Sequence, residues 1–444
     1  MKIPSELKNL ARLFPTPLFV VGGAVRDDLL GHKVHDYDLS SSLRAEEVLT
    51  LLKDTPYKAT PHSLKLGTLG INVGAHVMEY TAFRKDSYSL SGFHTPSVVE
   101  FDCSQLEDAS RRDFTINALY YDILGERIVD LVGGLRDLQN KVLRTPREPE
   151  EVIKEDALRI LRLVRFAVTL GFDVEEKTWE VVKKRASSLQ EIAVERIREE
   201  FEKILIADTV NGVKDAQIRG IEMMVELGIM EYVAPEFLES IGVKQNSKYH
   251  VFDVYRHTLE TIRRIKPELR RVAFFHDIAK PRSIDVNGHM RSHSEKGAKM
   301  TKEIMTRLLY PKSVIERDAR LVGAHMFDVK CNESVESIRE FVLFNCDLID
   351  DLLELKQADY VAHKLDESES PSARVIREVR DAMVESGVAF SVKELAVGGI
   401  DLIELGVEPQ ERARALNALL VYGARMGRAL TREESLRYIE SIKR

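Results

Sequence analysis

The chain has 444 residues, of which 44% are hydrophobic, 31% charged and 7% aromatic. This composition excludes a disordered or fibrous protein, and the length favours several domains over a single core. The formal net charge of −7 excludes a surface that wraps nucleic acid non-specifically, so any contact with RNA must be local. Without a long apolar run or an N-terminal signal, and with three widely separated cysteines, the sequence predicts a cytoplasmic protein with no membrane partner.

Short β-rich runs alternate with helical pieces in roughly the first 140 residues, which predicts an α+β head with a small mixed β-sheet. The predicted strands are Leu18–Val21, Leu69–Val73, Val98–Phe101 and Ile128–Leu131. From about Val152 onward apolar residues recur at helical spacing, so we expect the rest of the chain to be all-α. The expected divisions are a head at 1–140, a helical neck and body at 141–245, a further helical domain at 246–365 and a helical tail at 366–444.

A glycine pair and an aspartate pair lie close together near the start of the head. Gly22 and Gly23 follow the first strand, and backbone N–H groups there could approach a polyphosphate, with Arg26 adding a fork of donors. Asp36 and Asp38 would project from one face of a strand, where paired carboxylates could hold divalent ions. Taken singly, each pair also fits an ordinary turn or a solvated surface, but the combination favours phosphate-transfer chemistry.

The glycine pair, a spacer of twelve residues and the Asp-x-Asp pair resemble the pattern of the nucleotidyltransferase superfamily. Three further segments narrow the resemblance to the bacterial-type, class II tRNA nucleotidyltransferases and bacterial poly(A) polymerases: Lys65–Leu69, Glu79–Arg84 and Asp108–Ala118. The resemblance implies Mg²⁺ at Asp36 and Asp38, with Glu79 as a third carboxylate. Arg112 suits phosphate or ribose contacts and Asn117 suits sugar hydroxyls, although Arg112 could equally be a structural ion-pair partner.

Asp156, Arg159 and Arg162 follow one another at intervals of three, so we expect them along one side of a helix. Such residues usually form surface ion pairs. An aspartate, however, can accept from the exocyclic amine of cytosine or adenine, while an arginine donates to the ring nitrogen beside it. The segment resembles the family's Glu-Asp-x-x-Arg motif, which acts as an amino-acid template, and it therefore implies selection of CTP and ATP.

The expected product is the CCA end of tRNA, made from CTP and ATP. The Arg-Arg-Phe element usual in poly(A) polymerases is absent, because the corresponding place reads Asn72–His76. The loop at Lys85–Ser97, on which full CCA addition depends in this family, is retained. The arginine usually found before its proline is replaced by Gly92–Thr95, so addition of CC alone or of A alone stays open.

Histidines and aspartates cluster in the helical region. Their pattern resembles the HD superfamily of metal-dependent phosphohydrolases, which implies four core metal ligands: His257, His276, Asp277 and Asp359. His293 and His325 could supply a second divalent metal site. Some tRNA nucleotidyltransferases carry such a domain, so it could add hydrolysis of cyclic nucleotides or phosphate monoesters. The alternative is a phosphohydrolase with an RNA-binding head.

Overall fold

The structure is a computed structural model, and it describes residues 1–34, 36–87, 98–247, 250–285, 290, 292–329 and 333–443. Positions 88–97 of the loop predicted to influence the product lie outside the described residues. The chain divides into two compact units, Met1–Leu238 and Glu239–Arg444. The finer division into four segments stays a prediction.

The first unit contains a mixed β-sheet. In chain order the strands are β1 Phe19–Val21, β2 Asp38–Ser41, β3 Ala59–Ser63, β4 Thr68–Val73, β5 His76–Ala82, β6 Lys85–Ser87, β7 Val98–Glu100, β8 Leu119–Asp122, β9 Arg127–Asp130, β10 Val142–Leu143 and β11 Asp173–Val174. Within the described ranges, seven of them form one sheet in the order β3-β4-β5-β2-β1-β8-β9. Only the β2–β5 pair of that sheet is parallel. The α+β prediction for the head is confirmed, although the predicted strand near Val98 pairs with β6 outside this sheet.

Helices surround the sheet and then continue without it. Those of the first unit are α1 Ser5–Ala11, α2 Gly23–Leu29, α3 Ala45–Leu52, α4 Gln105–Ser110, α5 Gly134–Asn140, α6 Pro149–Glu155, α7 Leu158–Leu170, α8 Glu176–Lys184, α9 Val194–Leu205, α10 Asp208–Asn211, α11 Ala216–Glu226, α12 Met230–Val233 and α13 Pro235–Leu238. Aromatic rings fill the core under β1, where Phe19, Phe83 and Tyr120 have centroids 5.9–6.0 Å apart. This packing fixes β1, and with it the turn that follows the strand.

The second unit is helical, as predicted. Its helices are α14 Val254–Arg264, α15 Arg270–Phe275, α16 His293–Arg307, α17 Lys312–Ala324, α18 Val335–Phe344, α19 Ile349–Lys364, α20 Pro371–Glu385, α21 Gly399–Glu404, α22 Pro409–Met426 and α23 Arg432–Ile442. Apolar residues at helical spacing bury Ile338, Val342 and Ile376 in one core and Leu402 and Leu419 in another. In the part of the chain that the structure describes, no helix is long and apolar enough to cross a bilayer.

The prediction that Asp156 lies on one helix with Arg159 and Arg162 is wrong. Helix α6 ends at Glu155, and Asp156 is extended, with φ −146° and ψ 102°. Its carboxylate accepts a hydrogen bond from the backbone N–H of Leu158, the first residue of α7, at 3.0 Å. A short aspartate side chain competes for nearby backbone donors in this way, and the resulting turn separates α6 from α7.

Candidate active site and metal centre

The glycine turn after β1 lies against two of the predicted nucleotide-binding residues. Gly22 has φ 76°, a left-handed conformation that a residue with a side chain adopts at a cost. A Cβ atom at Gly22 would lie 3.6 Å from a guanidinium nitrogen of Arg112 and 3.6 Å from the carbonyl oxygen of Asn117. At Gly23 it would lie 3.6 Å from a guanidinium nitrogen of Arg26. The turn thus lies beside two arginines, with Gly22 buried and its N–H donated to the carbonyl oxygen of Leu119 at 3.1 Å.

The carboxylates lie beside this turn because of the strand register. Asp38 is the first residue of β2 and pairs with Val21, the last residue of β1. On the other side of β2, Leu39 pairs with Tyr80, so Glu79 is the neighbour of Asp38 along β5. The side chains of Asp36, Asp38 and Glu79 all reach solvent.

The pKa of Asp38 is raised above its ordinary value. Reduced hydration by the surrounding protein is the main cause, the negative charge of Glu79 is the next, and the charge of Asp36 adds to both. Arg112 acts in the opposite direction and offsets part of this shift. Excess negative charge at oxygen donors is what a hard divalent cation neutralises, so the donor set fits Mg²⁺. Among the described residues, these three carboxylates do not form a group whose donor oxygens all lie within 4.8 Å of one another.

A chain of hydrogen bonds joins the glycine turn to helix α7. Arg26 donates to the side-chain oxygen of Asn117 at 2.6 Å, and Asn117 donates to Asp113 at 3.1 Å. Asp113 also accepts from Arg162 at 2.6 and 2.9 Å. Burial favours a neutral Asp113, but the Arg162 charge outweighs it and lowers the pKa of Asp113 to about 2. The glycine turn and the predicted selection helix are therefore connected by one hydrogen-bond network.

Both arginines of the Asp108–Ala118 motif pair with the buried Asp108. Arg111 lies 2.7 Å and Arg112 3.2 Å from its carboxylate oxygens, and Tyr120 donates to it at 2.5 Å. Burial works against the charged Asp108, yet the two arginines lower its pKa to about 2. Arg111 has a structural role here, since it also donates to the carbonyl oxygen of Arg84. Arg112 pairs with Asp108 and also lies beside Gly22. Its position is therefore consistent with both predictions, a structural ion pair and a phosphate contact.

The predicted base-selecting residues have partners that sequence reasoning missed. Arg159 is buried and donates to the carbonyl oxygens of Arg111 at 2.7 Å and Val152 at 3.0 Å, with Glu155 at 3.2 Å. Arg196 donates to the second carboxylate oxygen of Asp156 at 2.9 Å. Helix α9, which carries Arg196, thus contributes to the selection region.

In the second unit, the four predicted HD ligands converge. The Nε2 atom of His257 lies 2.8 Å from Asp359, 3.5 Å from Asp277 and 3.4 Å from the Nε2 of His276. The Nε2 of His276 is 3.2 Å from Asp277. Residues far apart in the sequence therefore offer donors close enough to share one ion. Nitrogen and carboxylate donors in one buried group fit a divalent metal.

A second group of donors shares Asp277 with the first. His293 and His325 have Nε2 atoms 3.5 and 3.7 Å from Asp277 Oδ1, and these three residues form a second possible ion site. Each of these two histidines uses Nδ1 to bond a backbone carbonyl, that of Met290 or Val322. Their Nε2 atoms are buried without a hydrogen-bond partner among the described residues. This arrangement presents Nε2 to a metal.

The charges of the cluster also favour a cation. Burial disfavours a charged His276, yet Asp277 and Asp359 raise its pKa to about 10. The pKa of Asp277 is held well below its ordinary value, because His276 and Lys280 outweigh its burial. Lys280 was missed by sequence reasoning. Its ammonium nitrogen lies 2.5 Å from Asp277 and donates to Gln245 at 2.7 Å.

Comparison with known families accounts for most of the chain. Residues 18–144 match the poly(A) polymerase head domain, 171–241 match the probable RNA and SrmB-binding site of polymerase A, and 248–382 match the HD domain. These matches define a poly(A) polymerase head domain followed along the chain by an HD domain.

Relatives with described functions narrow the class. The CCA-adding enzyme of Lactobacillus helveticus is 43% identical over 42% of this chain and 45% of its own length, and that of Ligilactobacillus salivarius is 42% identical over the same shares. The chain thus aligns with less than half the length of these relatives. The A-adding tRNA nucleotidyltransferase of Deinococcus radiodurans is 29% identical over 96% of both chains. The chain therefore contains a poly(A) polymerase head domain, a probable RNA-binding region and an HD domain, and it is similar to CCA-adding and A-adding tRNA nucleotidyltransferases.

Solved structures of CCA-adding enzymes have the same fold as this chain. The crystal structure of the Bacillus stearothermophilus CCA-adding enzyme in complex with CTP has a TM-score of 0.72 at 23% identity. It covers 99% of this chain and 98% of its own. The Thermotoga maritima CCA-adding enzyme complexed with tRNA has a TM-score of 0.56 at 20% identity, over 99% of this chain and 96% of its own.

Proposed function

We propose that this chain adds C and A to the 3′ end of tRNA, using CTP and ATP and releasing pyrophosphate. The observation that carries the proposal is the convergence of Asp38, Glu79 and Arg112 beside the Gly22 turn. Relatives named as CCA-adding enzymes, and a structure of one of them with tRNA, support the choice of substrates.

In this proposal the 3′-hydroxyl of the RNA attacks the α-phosphate in line, and pyrophosphate leaves from the opposite side. Mg²⁺ held by Asp36 and Asp38 would favour the attacking alkoxide and neutralise the leaving group. Glu79 adds a third negative charge beside these two carboxylates. Arg112 binds the triphosphate, because its guanidinium presents donors to the phosphate oxygens, and the glycine turn lets the triphosphate approach the backbone closely.

Asp156 and Arg159 would select the base. Asp156 accepts from the exocyclic amine, and Arg159 donates to the adjacent ring nitrogen, a pattern that cytosine and adenine share and that uracil and guanine reverse. Arg159 now donates to backbone carbonyls and to Glu155, so one of its N–H groups must turn toward the base. Arg162 holds Asp113 and thereby keeps this helix connected to the nucleotide site.

A partial activity, either A addition or CC addition, is the alternative to full CCA addition. The relative that aligns over 96% of both chains is named as A-adding, whereas the relatives that align over about half of the chain are named as CCA-adding. Three tRNA substrates distinguish these outcomes: one ending before CCA, one after C and one after CC, each offered labelled CTP and ATP separately and together. Extension of all three to CCA supports full addition. Use of the CC-ended substrate only shows A addition, and extension that stops at CC shows CC addition.

A second candidate function is phosphohydrolysis by the HD domain. The buried donors around Asp277, with Nε2 atoms presented to a metal, favour it. The test is hydrolysis of 2′,3′-cyclic AMP and of p-nitrophenyl phosphate by the full chain with Mg²⁺, Mn²⁺, Co²⁺ or Ni²⁺. Loss of that hydrolysis in Asp277→Asn but not in Asp36→Asn supports this function, and equal hydrolysis by Asp277→Asn contradicts it.

A further inference from the structure

Two histidines that belong to neither HD ligand group lie against His257. The ring centroids of His250 and His363 are 4.3 Å apart, and those of His250 and His257 are 5.1 Å apart. The rings of His257 and His363 stack at 5.2 Å. All three offer ring nitrogens within 4.8 Å of one another, so they form a third group of possible metal ligands next to the HD centre.

The backbone holds these histidines in place from separate segments of the chain. His363 follows Asp359 by one turn on α19, so both project from the same side of that helix. His250 precedes α14, and its N–H donates to the carbonyl of Asn246 at 3.0 Å. The N–H of the next residue, Val251, donates to the carbonyl of His363 at 3.0 Å. The approach of the rings is therefore fixed by hydrogen bonds of the main chain.

Two nitrogens of this group need a partner. The Nδ1 atoms of His250 and His257 are buried and have no hydrogen bond to any residue that the structure describes. His257 is fully buried, and its other nitrogen already lies 2.8 Å from Asp359. Buried polar atoms are normally paired, because leaving them unpaired forfeits their hydration. A bound cation would satisfy such nitrogens.

We propose that His250, His257 and His363 bind a transition-metal ion of the Zn²⁺, Ni²⁺ or Co²⁺ type, in addition to the two aspartate-containing groups. Three imidazole nitrogens favour these ions over Mg²⁺, and Asp359, whose Oδ1 lies 3.4 Å from the Nε2 of His363, adds a negative charge beside them. Three protein ligands also leave a coordination position open to water or to a phosphate oxygen. Since His257 belongs to this group and to the central HD group, occupancy of one is expected to weaken binding at the other. The inference does not depend on nucleotidyl transfer by the head.

The test is a Co²⁺ titration of the full-length chain after removal of its metals. Equilibrium dialysis with metal analysis gives the number of ions bound per chain, and the visible absorption of Co²⁺ reports nitrogen ligation. The variants are His250→Gln, His363→Gln and the double variant. His76→Gln is the matched control, because His76 is an exposed histidine of the head.

We expect the double variant to bind one Co²⁺ fewer than the control, or to bind that ion at least tenfold more weakly, with its absorption band lost. A His293→Gln/His325→Gln variant should keep that band. Unchanged stoichiometry and spectrum in the double variant would overturn the proposal. So would the simultaneous loss of every ion, because His250 and His363 would then only support His257.

Circular dichroism and thermal melting show whether the double variant is folded. If it is not, His363→Gln decides the question, since its side chain is 30% exposed and tolerates replacement better than the buried rings. The same two outcomes then apply: one ion weakened supports the site, and no change or a general loss contradicts it.

Discussion

The two candidate metal regions of this chain are organised in opposite ways. In the head, Asp36, Asp38 and Glu79 are exposed: Asp36 precedes β2 and so is not on the strand as predicted, Asp38 begins β2, and Glu79 lies in the middle of β5. In the HD domain, the donors around Asp277 are buried and already within reach of a shared ion. Both regions contain carboxylates. Among the described residues, those of the HD domain lie beside His293 and His325, whose Nδ1 atoms are hydrogen-bonded to backbone carbonyls.

This difference follows from what each region would bind. Mg²⁺ keeps several waters and is usually held by one or two carboxylates together with the phosphates of a substrate, so an incomplete protein site suffices in the head. A resident ion between histidines needs all its protein ligands in place before it arrives. We infer that the nucleotide completes the head site, whereas the HD centre is complete in the protein itself.

The largest expected effect is on nucleotidyl transfer. Asp36→Asn or Asp38→Asn should lower kcat/KM for nucleotide addition at least about 1,000-fold, because each removes charge from the proposed Mg²⁺ site. Incorporation of labelled CTP or ATP into tRNA measures it. Asp54→Asn, an exposed head carboxylate, is the control and should be unaffected. Near-normal addition by both variants would show that Asp36 and Asp38 do not hold a catalytic metal ion, and the head would then have no metal site to compare with the HD centre.

Metal-dependent stability comes next. Co²⁺ or Ni²⁺ at 100 times its Kd should stabilise the second unit by about 3 kcal/mol, while Mg²⁺ without nucleotide should leave the first unit almost unchanged. Thermal melting of the chelated and the metal-loaded chain measures both. Asp277→Asn should remove most of the effect, because that carboxylate is shared by two donor groups, and should leave only the contribution of an ion at His250, His257 and His363. If Mg²⁺ alone stabilised the first unit equally, the contrast between the two regions would be wrong.

The network behind the head site should contribute to stability in a pH-dependent way. The pKa of Asp113 is about 2 in the folded chain against about 3.9 when unfolded, so its contribution is present above pH 3.9 and is lost as the pH falls toward 2. At pH 7 this difference corresponds to about 3 kcal/mol. Asp113→Asn should lose that amount in urea unfolding at pH 7. A loss as large at pH 2 as at pH 7 would show that ion pairing with Arg162 is not its cause.

The sequence predicted most of the head because its signals are local. The glycine pair, the Asp-x-Asp pair and the β-rich runs each lie within a few residues, and the strand register places Glu79 beside Asp38 as the resemblance implied. The four HD ligands could be named for a similar reason, since His276 and Asp277 are adjacent in the sequence and mark the pattern.

What the sequence missed depends on contacts between distant segments. His250 and His363 are separated by more than 100 positions and meet only after α14 and α19 pack together. Arg196 reaches Asp156 from another helix. The error at Asp156 has a different cause. A spacing of three residues fits a continuous helix, and it also fits two helices separated by a turn such as the one between Asp156 and Leu158.

The smallest expected effect concerns Arg196. It shows whether the proposed base-selecting residues Asp156 and Arg159 reach their binding arrangement only when the nucleotide binds, as we infer for the head carboxylates. One oxygen of Asp156 is held by the backbone N–H of Leu158, and the other is paired with Arg196, whose side chain is 41% exposed. An exposed ion pair of this kind is worth about 0–1 kcal/mol. Arg196→Ala should therefore lower KM for CTP and ATP up to about fivefold. The hydrogen bond from Leu158 still positions Asp156, while one competitor for the other oxygen of Asp156 is gone.

Lys203→Ala is the control: it removes a positive charge from the same helix and should leave KM unchanged. A rise in KM with Arg196→Ala would mean that Arg196 orients Asp156 in advance, and the selection region would then resemble the HD centre in being organised before its ligand binds.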